Sequence, residues 1–148
     1  MTVAFFYLKK ICYFGVPIQV SFKQIHMKVI AFGASSSIHS INKKLATFTA
    51  NLFTSSEVEV LDLNHYEMPL FSVDREQEFV HSEIISTFIS KLEKADMLVI
   101  SMAEHNGNFT AAFKNLLDWT TRVKLKLFEN KKISINNGDS KSTSILSS

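Results

Sequence analysis

Apolar residues in the middle of the chain form three short runs, each long enough for one strand. The runs at 28–33 (KVIAFG) and 97–102 (MLVISM) are almost continuously apolar, which is typical of parallel strands buried on both faces. The run at 57–63 begins by alternating acids with valines, as suits a strand near a sheet edge. We therefore predict two inner strands and one outer strand.

Helical spacing follows each strand. The first helix begins at Ser40, whose hydroxyl is suited to cap it, and its apolar residues recur every three or four positions: Ile41, Leu45, Phe48 and Leu52. A second helix is predicted over about 76–94 and a third after 108. The alternation predicts an α/β fold with a parallel sheet of strand order 2-1-3 and right-handed crossovers. In that order, the loops at 34–40 and 103–108 meet at a crevice beside the carboxyl ends of the inner strands.

The composition is typical of one globular domain, but the charged residues are distributed unevenly along the chain. The chain has 148 residues, 46% apolar and 20% charged, with a net charge of +2. These values argue against disorder and give no reason to expect nucleic-acid binding. Residues 27–123 hold 8 basic and 12 acidic side chains, whereas 1–26 hold three lysines and no acid, and 124–148 hold 5 basic and 2 acidic. We therefore expect a folded middle between two ends of different character.

The N-terminal 26 residues are apolar, yet they lack the order of a signal peptide, because their lysines interrupt the apolar run. We interpret 1–26 as a non-native extension from an over-long reading frame that should start at Met27. A weakly membrane-associated or strand-forming extension is the alternative. No apolar run has the length needed to cross a bilayer, and one cysteine, Cys12, cannot form an internal disulfide. We expect a cytoplasmic protein without a membrane partner.

The first loop has the residues of an anion site. Hydroxyls and backbone amides precede a helix N-terminus, where unpaired N–H groups attract phosphate. The best placed donors are Ser35, Ser37, Ser40 and the backbones of Ile41 and Asn42. The equally weighted alternative is that Ser40 only caps its helix and the other serines form a polar turn. A dinucleotide fingerprint is absent, because only Gly33 is available.

The second loop, EHNGN at 104–108, offers a ring, amides and a permissive glycine. A planar heteroaromatic ring can lie along such a backbone. The alternative is a tight Asn-Gly turn with Asn108 as the helix cap, which spacing alone favours. His105 has no second ligand at metal spacing, so we predict no metal site. No catalytic triad can be assembled from the spacing of the residues.

Two motifs together resemble the NAD(P)H-dependent FMN reductase family of the flavodoxin-like superfamily. They are MKVIAFGASSSIHSINKKLA at 27–46 and MLVISMAEHNGNFTAAFKNLLDW at 97–119. The first matches a loop leading to Ser-x-Asn and a helix, and the second matches a Pro-Glu-Tyr-Asn-like loop leading to Leu-Lys-Asn-x-x-Asp-Trp. The resemblance covers 27–132 and implies a flavodoxin-like, three-layer α/β/α fold.

The resemblance also implies a function. The first loop would bind the FMN phosphate, and the second would line the isoalloxazine ring with Glu104, His105, Asn106, Gly107 and Asn108. The flavin would carry the chemistry, with no catalytic side chain, taking hydride from NADPH or NADH and passing electrons to a small acceptor such as flavin or quinone. Such reductases are usually homodimers. An FMN-binding electron carrier and a non-catalytic truncated fragment remain as alternatives.

This sequence departs from the family pattern at three places in the two loops and again after residue 132. An arginine frequent in the first loop is absent, His105 stands where tyrosine is usual, and Met102-Ala103 replaces a proline-containing approach. After residue 132 the family continues into a fourth apolar strand and a glycine-rich loop, whereas 133–148 are rich in serine. We therefore expect only the first half of the fold, a disordered polar tail at 133–148 and an unpaired edge on the strand at 97–102. A change of reading frame after Lys132 would explain the switch.

Overall fold

The computed structural model describes residues 12–13, 16–17, 26–79, 82–137 and 143–147. Nine strands are assigned there: β1 (Cys12–Tyr13), β2 (Val16–Pro17), β3 (Lys28–Ala34), β4 (Glu57–Leu61), β5 (Met97–Met102), β6 (Glu104–His105), β7 (Asn108–Phe109), β8 (Lys132–Asn137) and β9 (Thr143–Ser147). The helices in these ranges are α1 (Ile41–Ala50), a 3₁₀ helix (Leu63–Tyr66), α2 (Val73–Phe79), α3 (Glu83–Glu93) and α4 (Ala111–Val123).

The main sheet has the order β4-β3-β5-β8-β9. Strands β4, β3, β5 and β8 are mutually parallel, and β9 runs antiparallel to β8. The order of its first three strands confirms the predicted 2-1-3, with the acid-bearing β4 outside the apolar β3 and β5. The loops after β3 and β5 therefore leave adjacent parallel strands at the same edge of the sheet.

The helices lie on both faces of the sheet. On one face, α1 packs against residues of β3 and β5, including Val29 and Val99. On the other face, α3 and α4 enclose a larger core around Phe32, Phe88 and Trp119, each fully buried. This arrangement confirms the predicted three-layer α/β/α fold.

The first helix forms where its spacing predicted, but its large apolar residues face outward. Phe48 is 66% exposed and Leu52 is 64% exposed, whereas the fully buried residues of α1 are Ala46 and Ala50. Alanine fits that side because α1 lies very close to the sheet at Gly33. The apolar spacing therefore identified the helix but not its buried side.

The single helix predicted over about 76–94 is two helices, α2 and α3. A break around Ser82 separates them, and the Ser82 hydroxyl caps α3 by accepting the amide of Ile84 at 3.2 Å. The apolar residues of the prediction belong to α3, where Ile85, Phe88 and Leu92 are buried. In contrast, α2 has no buried residue.

The segment after residue 131 differs from the expected disordered tail. Residues 132–137 form β8, which pairs with β5 from Met97↔Lys132 to Met102↔Asn137, and 143–147 form β9. The predicted unpaired edge on β5 was therefore wrong. Strand pairing joins backbone groups, so a strand can contain buried polar residues such as Ser134 and Asn136 if their polar groups are hydrogen-bonded. The side chain of Asn136 is bonded in this way, because its Nδ2 donates to Thr49 Oγ1 at 2.9 Å.

The prediction for residues 1–26 lies largely outside the described residues. Within it, β1 and β2 form an antiparallel pair. Among the residues that the structure describes, none of the helices combines the length and apolar character required for a membrane span.

Candidate functional site

The first loop is built on a close approach between β3 and α1. A Cβ at Gly33 would lie 2.3 Å from Lys43 N and 2.7 Å from Asn42 C, both backbone atoms of α1. Because real Cβ contacts do not come this close, only glycine permits the helix N-terminus to sit against the end of the strand. Gly33 thereby positions the first turn of α1 at the carboxyl edge of the sheet.

The serine hydroxyls of this loop already hold its backbone in place. Ser40 Oγ accepts the amide of Lys43 at 3.1 Å, and Ser35 Oγ accepts the amide of Ser37 at 3.1 Å. The carbonyl of Ser37 accepts the amide of Ser40 at 3.1 Å. Ser40 therefore caps α1, as its position in the sequence predicted. A hydroxyl that accepts one hydrogen bond can still donate its own proton, so capping leaves a donor for a ligand.

The amides of Ile41 and Asn42 have no hydrogen-bond acceptor among the described residues. They belong to the first turn of α1, where helical N–H groups lack an internal partner. The side chain of Asn42 is fixed, because its Oδ1 accepts the hydroxyl of the fully buried Ser101 at 2.8 Å. This turn therefore presents two donors that no described residue occupies, and a helix dipole suited to an anion.

The second loop folds as a small hairpin. Residues 104–105 pair with 108–109, and the turn residues Asn106 and Gly107 have φ of 55° and 76°. Positive φ at both central positions is characteristic of a type I′ turn, for which Asn-Gly is favoured. The structure thus contains the tight turn of the alternative interpretation, with all of residues 104–108 exposed at the same sheet edge as the first loop.

Thr110 joins the two loops. Its hydroxyl donates to the carbonyl of Ala34 at 2.9 Å and accepts the amide of Phe113 at 3.3 Å, so it caps α4. The expected cap, Asn108, instead accepts the amide of Phe109 at 2.8 Å. Because Thr110 is buried and bonded across 76 positions of sequence, it fixes the start of α4 against the first loop.

An ion pair ties α1 to the outer strand at this edge. Lys43 Nζ lies 2.5 Å from Asp62 Oδ2, and Asn64 donates to Asp62 Oδ1 through its amide N–H and its side chain. The hydrogen bond from Lys43 is the largest influence on Asp62 and holds the pKa of its carboxyl below the ordinary value, although partial burial opposes it. Lys43 therefore stabilises the structure around the site through its ion pair with Asp62.

Sequence reasoning named the residues of both loops but missed two that hold them. Ser101 and Thr110 are fully or almost fully buried, and each bonds to the other loop or helix. Both had a signal: a hydroxyl inside an apolar strand requires a partner, and a threonine three residues before Phe113 occupies a capping position. No cluster of metal-ligating side chains occurs among the residues that the structure describes.

The sheet order, with the loops after β3 and β5 together at its carboxyl edge, defines a flavodoxin-like fold. FerB of Paracoccus denitrificans, a flavoenzyme NAD(P)H:(acceptor) oxidoreductase, has a similar fold. Its TM-score is 0.60 at 20% identity, covering 75% of this chain and 60% of FerB.

The model of the NADPH-dependent FMN reductase family matches residues 27–141, and the chain belongs to this family. An NAD(P)H:quinone oxidoreductase of Solanum tuberosum is 29% identical over 69 residues, which are 47% of this chain and 34% of the relative. An uncharacterized protein of Mycoplasma pneumoniae is 31% identical over 88 residues, 60% of this chain and 51% of the relative. The chain thus spans between a third and a half of the length of these relatives.

Proposed function

We propose that the chain binds FMN and acts as an NAD(P)H-dependent oxidoreductase that delivers electrons to a small acceptor such as flavin or quinone. Two findings support the proposal: the chain belongs to the FMN reductase family, and its Solanum tuberosum relative is named as an NAD(P)H:quinone oxidoreductase. The observation that carries it is the pair of amides, Ile41 and Asn42, that have no acceptor in the described part of the chain and lie at the sheet edge shared with the 104–108 hairpin.

We assign the phosphate of FMN to the first loop. The amides of Ile41 and Asn42 would donate to it, and the hydroxyls of Ser35, Ser37 and Ser40 have protons available for the same purpose. The close approach at Gly33 fits this role, because it exposes the helix end without an intervening side chain. The absence of an arginine here means that binding would depend on backbone donors and the helix dipole.

We assign the flavin ring to the hairpin residues Glu104, His105, Asn106, Gly107 and Asn108. Their exposure at the sheet edge leaves their backbone and side chains accessible to a planar ring. When bound, FMN would supply the hydride and electron transfer. The chain itself would bind and orient the ring, and no side chain is proposed as an acid or base.

The test is an FMN titration of the full chain followed by flavin fluorescence, with NADPH and NADH oxidation measured on the same sample. A reductase binds FMN and oxidises the nicotinamide. An electron carrier binds FMN without oxidising the nicotinamide, and a non-catalytic fragment does not bind FMN. Either of the last two results would overturn the proposal.

Two serine caps provide a matched pair of variants. Ser40→Ala and Ser82→Ala each remove the N-cap of a helix, but only Ser40 lies in the assigned phosphate loop. Because hydrogen bonds to charged groups contribute about 1.5–3 kcal/mol, Ser40→Ala should weaken FMN binding by about tenfold or more. Ser82→Ala should leave the dissociation constant within about twofold. Equal effects would contradict the assignment.

We also propose that the protein is cytoplasmic, and that it is a homodimer as the family resemblance implies. Sedimentation equilibrium of the FMN-loaded chain should give twice the chain mass of 16.8 kDa. A single-chain mass at micromolar concentration would contradict it.

A further inference from the structure

A cleft of about 520 Å³ opens beside the first loop, on the side of the outer strand β4. Its walls come from the first loop, from the segment after β4 and from the start of α4, and they include Ile38, Met68, Leu70 and Ala112. The volume lies in the range typical of small-molecule sites. The cleft is separate from the 104–108 hairpin, none of whose residues lines it.

One wall of this cleft is fixed by side chains of α4, chiefly that of Asn115. Asn115 Oδ1 accepts the amide of Phe71 at 2.8 Å, and Asn115 Nδ2 donates to the carbonyls of Met68 at 3.0 Å and Pro69 at 3.1 Å. One turn later, Trp119 Nε1 donates to the carbonyl of Pro69 at 2.7 Å. Four hydrogen bonds therefore hold residues 68–71 against α4, although this segment lacks regular structure of its own.

The indole of Trp119 strengthens the same attachment. It meets the ring of Phe71 edge to face, with centroids 5.0 Å apart, and is completely buried. With its backbone held in this way, the segment presents Leu70 outward, 72% exposed, at the rim of the cleft. A large apolar side chain at the mouth of a cleft, on a backbone segment that is held in place, is suited to contact an apolar ligand.

The charges around the cleft restrict the ligand. None of its described lining residues is a lysine, arginine or histidine, and its one carboxyl side chain is Glu67. An anion would therefore meet no cationic side chain among the lining residues and would be repelled by Glu67. The lining favours a neutral ring compound.

We propose that this cleft binds a neutral aromatic or quinonoid ring, and that Asn115 is a positioning residue that sets the shape of the cleft by holding residues 68–71. That the ring serves as the electron acceptor rests on the proposed function. The binding itself does not require FMN, because the lining is complete without the hairpin.

The test uses the full chain without FMN or NADPH and follows the fluorescence of Trp119, the single tryptophan. The probe is duroquinone, a neutral quinone whose fully substituted ring offers no free position for addition of the Cys12 thiol. Saturable quenching is expected. A lack of saturation, or binding that requires FMN, would overturn the proposal.

Two exposed leucines give a variant and its control. Leu70→Ser changes the rim of the cleft, whereas Leu125→Ser changes a leucine that is 82% exposed and lies outside the cleft. Loss of apolar contact should raise the dissociation constant of duroquinone about fivefold in Leu70→Ser and less than twofold in Leu125→Ser. Equal effects would overturn the site.

The positioning role is tested with Asn115→Ala. It should weaken duroquinone binding at least as much as Leu70→Ser and leave the affinity for FMN unchanged, a difference that general destabilisation would not produce. An equal loss of affinity for duroquinone and for FMN would overturn the positioning role. If Asn115→Ala does not fold, the comparison of Leu70→Ser with Leu125→Ser still tests whether the cleft binds duroquinone. A sulfonated quinone should bind more weakly than duroquinone, and equal affinity would overturn the assignment to neutral ligands. FMN titration separately decides the proposed function, so the two failures are distinguishable.

Discussion

Replacing Gly33 by alanine tests the contact on which the first loop depends. The added Cβ would lie 2.3 Å from Lys43 N and 2.8 Å from Lys43 Cα, whereas ordinary van der Waals contact begins at 3.4 Å. The helix N-terminus must therefore retreat by about 1.1 Å, the difference between 3.4 and 2.3 Å. Neither atom belongs to a flexible side chain, so no rotamer change can relieve the clash.

Gly33→Ala should lower both the unfolding free energy and the affinity for FMN. Overpacking of this kind costs about 1–3 kcal/mol of unfolding free energy. The retreat also moves the amides of Ile41 and Asn42, and because each charge-assisted hydrogen bond contributes about 1.5–3 kcal/mol, FMN affinity should fall at least tenfold. Riboflavin lacks the phosphate, so its affinity should change much less.

The assay combines urea unfolding with FMN and riboflavin titrations. Gly107→Ala is the control, because a Cβ there meets nothing within 4 Å and the substitution strains only the hairpin turn, where φ is +76°. We expect Gly33→Ala to lose FMN selectively over riboflavin, and Gly107→Ala to show no such selectivity. If Gly33→Ala keeps its stability within about 0.5 kcal/mol and binds FMN normally, the close-approach reasoning is refuted.

Four further substitutions, in three tests, probe the residues that hold the site and α1 in place. Thr110→Val removes a helix cap and a buried hydrogen bond and should lower the unfolding free energy by about 1–2 kcal/mol in urea melts; a loss below 0.5 would contradict its bridging role. The pKa of Asp62 is lower in the folded chain than its ordinary 3.8, so its pairing with Lys43 stabilises the fold above that pH and the benefit is lost as pH falls through the folded pKa. The stability difference between wild type and Asp62→Asn should therefore be present at neutral pH and disappear in acid, and a difference independent of pH would count against it. Ala50→Leu should destabilise by about 1–3 kcal/mol and Phe48→Ser by less than about 0.5, because only Ala50 is buried; the reverse order would show that the faces of α1 are misassigned.

The order of the inner strands was predictable because burial on both faces leaves a direct mark in the sequence. Continuous apolar runs identified β3 and β5, and the acids of β4 placed it outside them. The loops at the carboxyl ends followed from the topology alone, so the candidate residues could be named before any geometry was known.

The errors have physical causes that a residue pattern does not reveal. The buried side of α1 consists of small residues because the helix lies close to the sheet, and Ala50 carries little apolar signal beside the exposed Phe48. β8 was missed because Ser134 and Asn136 are polar, although backbone pairing and a bond to Thr49 compensate for their burial. Long-range partners of this kind cannot be inferred from local spacing.

The first loop as a phosphate site is tested most directly by amide NMR of the full chain, labelled with ¹⁵N and titrated with FMN. If the loop binds the phosphate, we expect the largest shifts at the amides of Ile41 and Asn42, with further shifts in 104–108, and we expect riboflavin to move the hairpin resonances alone. Saturable FMN binding that leaves Ile41 and Asn42 unchanged would contradict it.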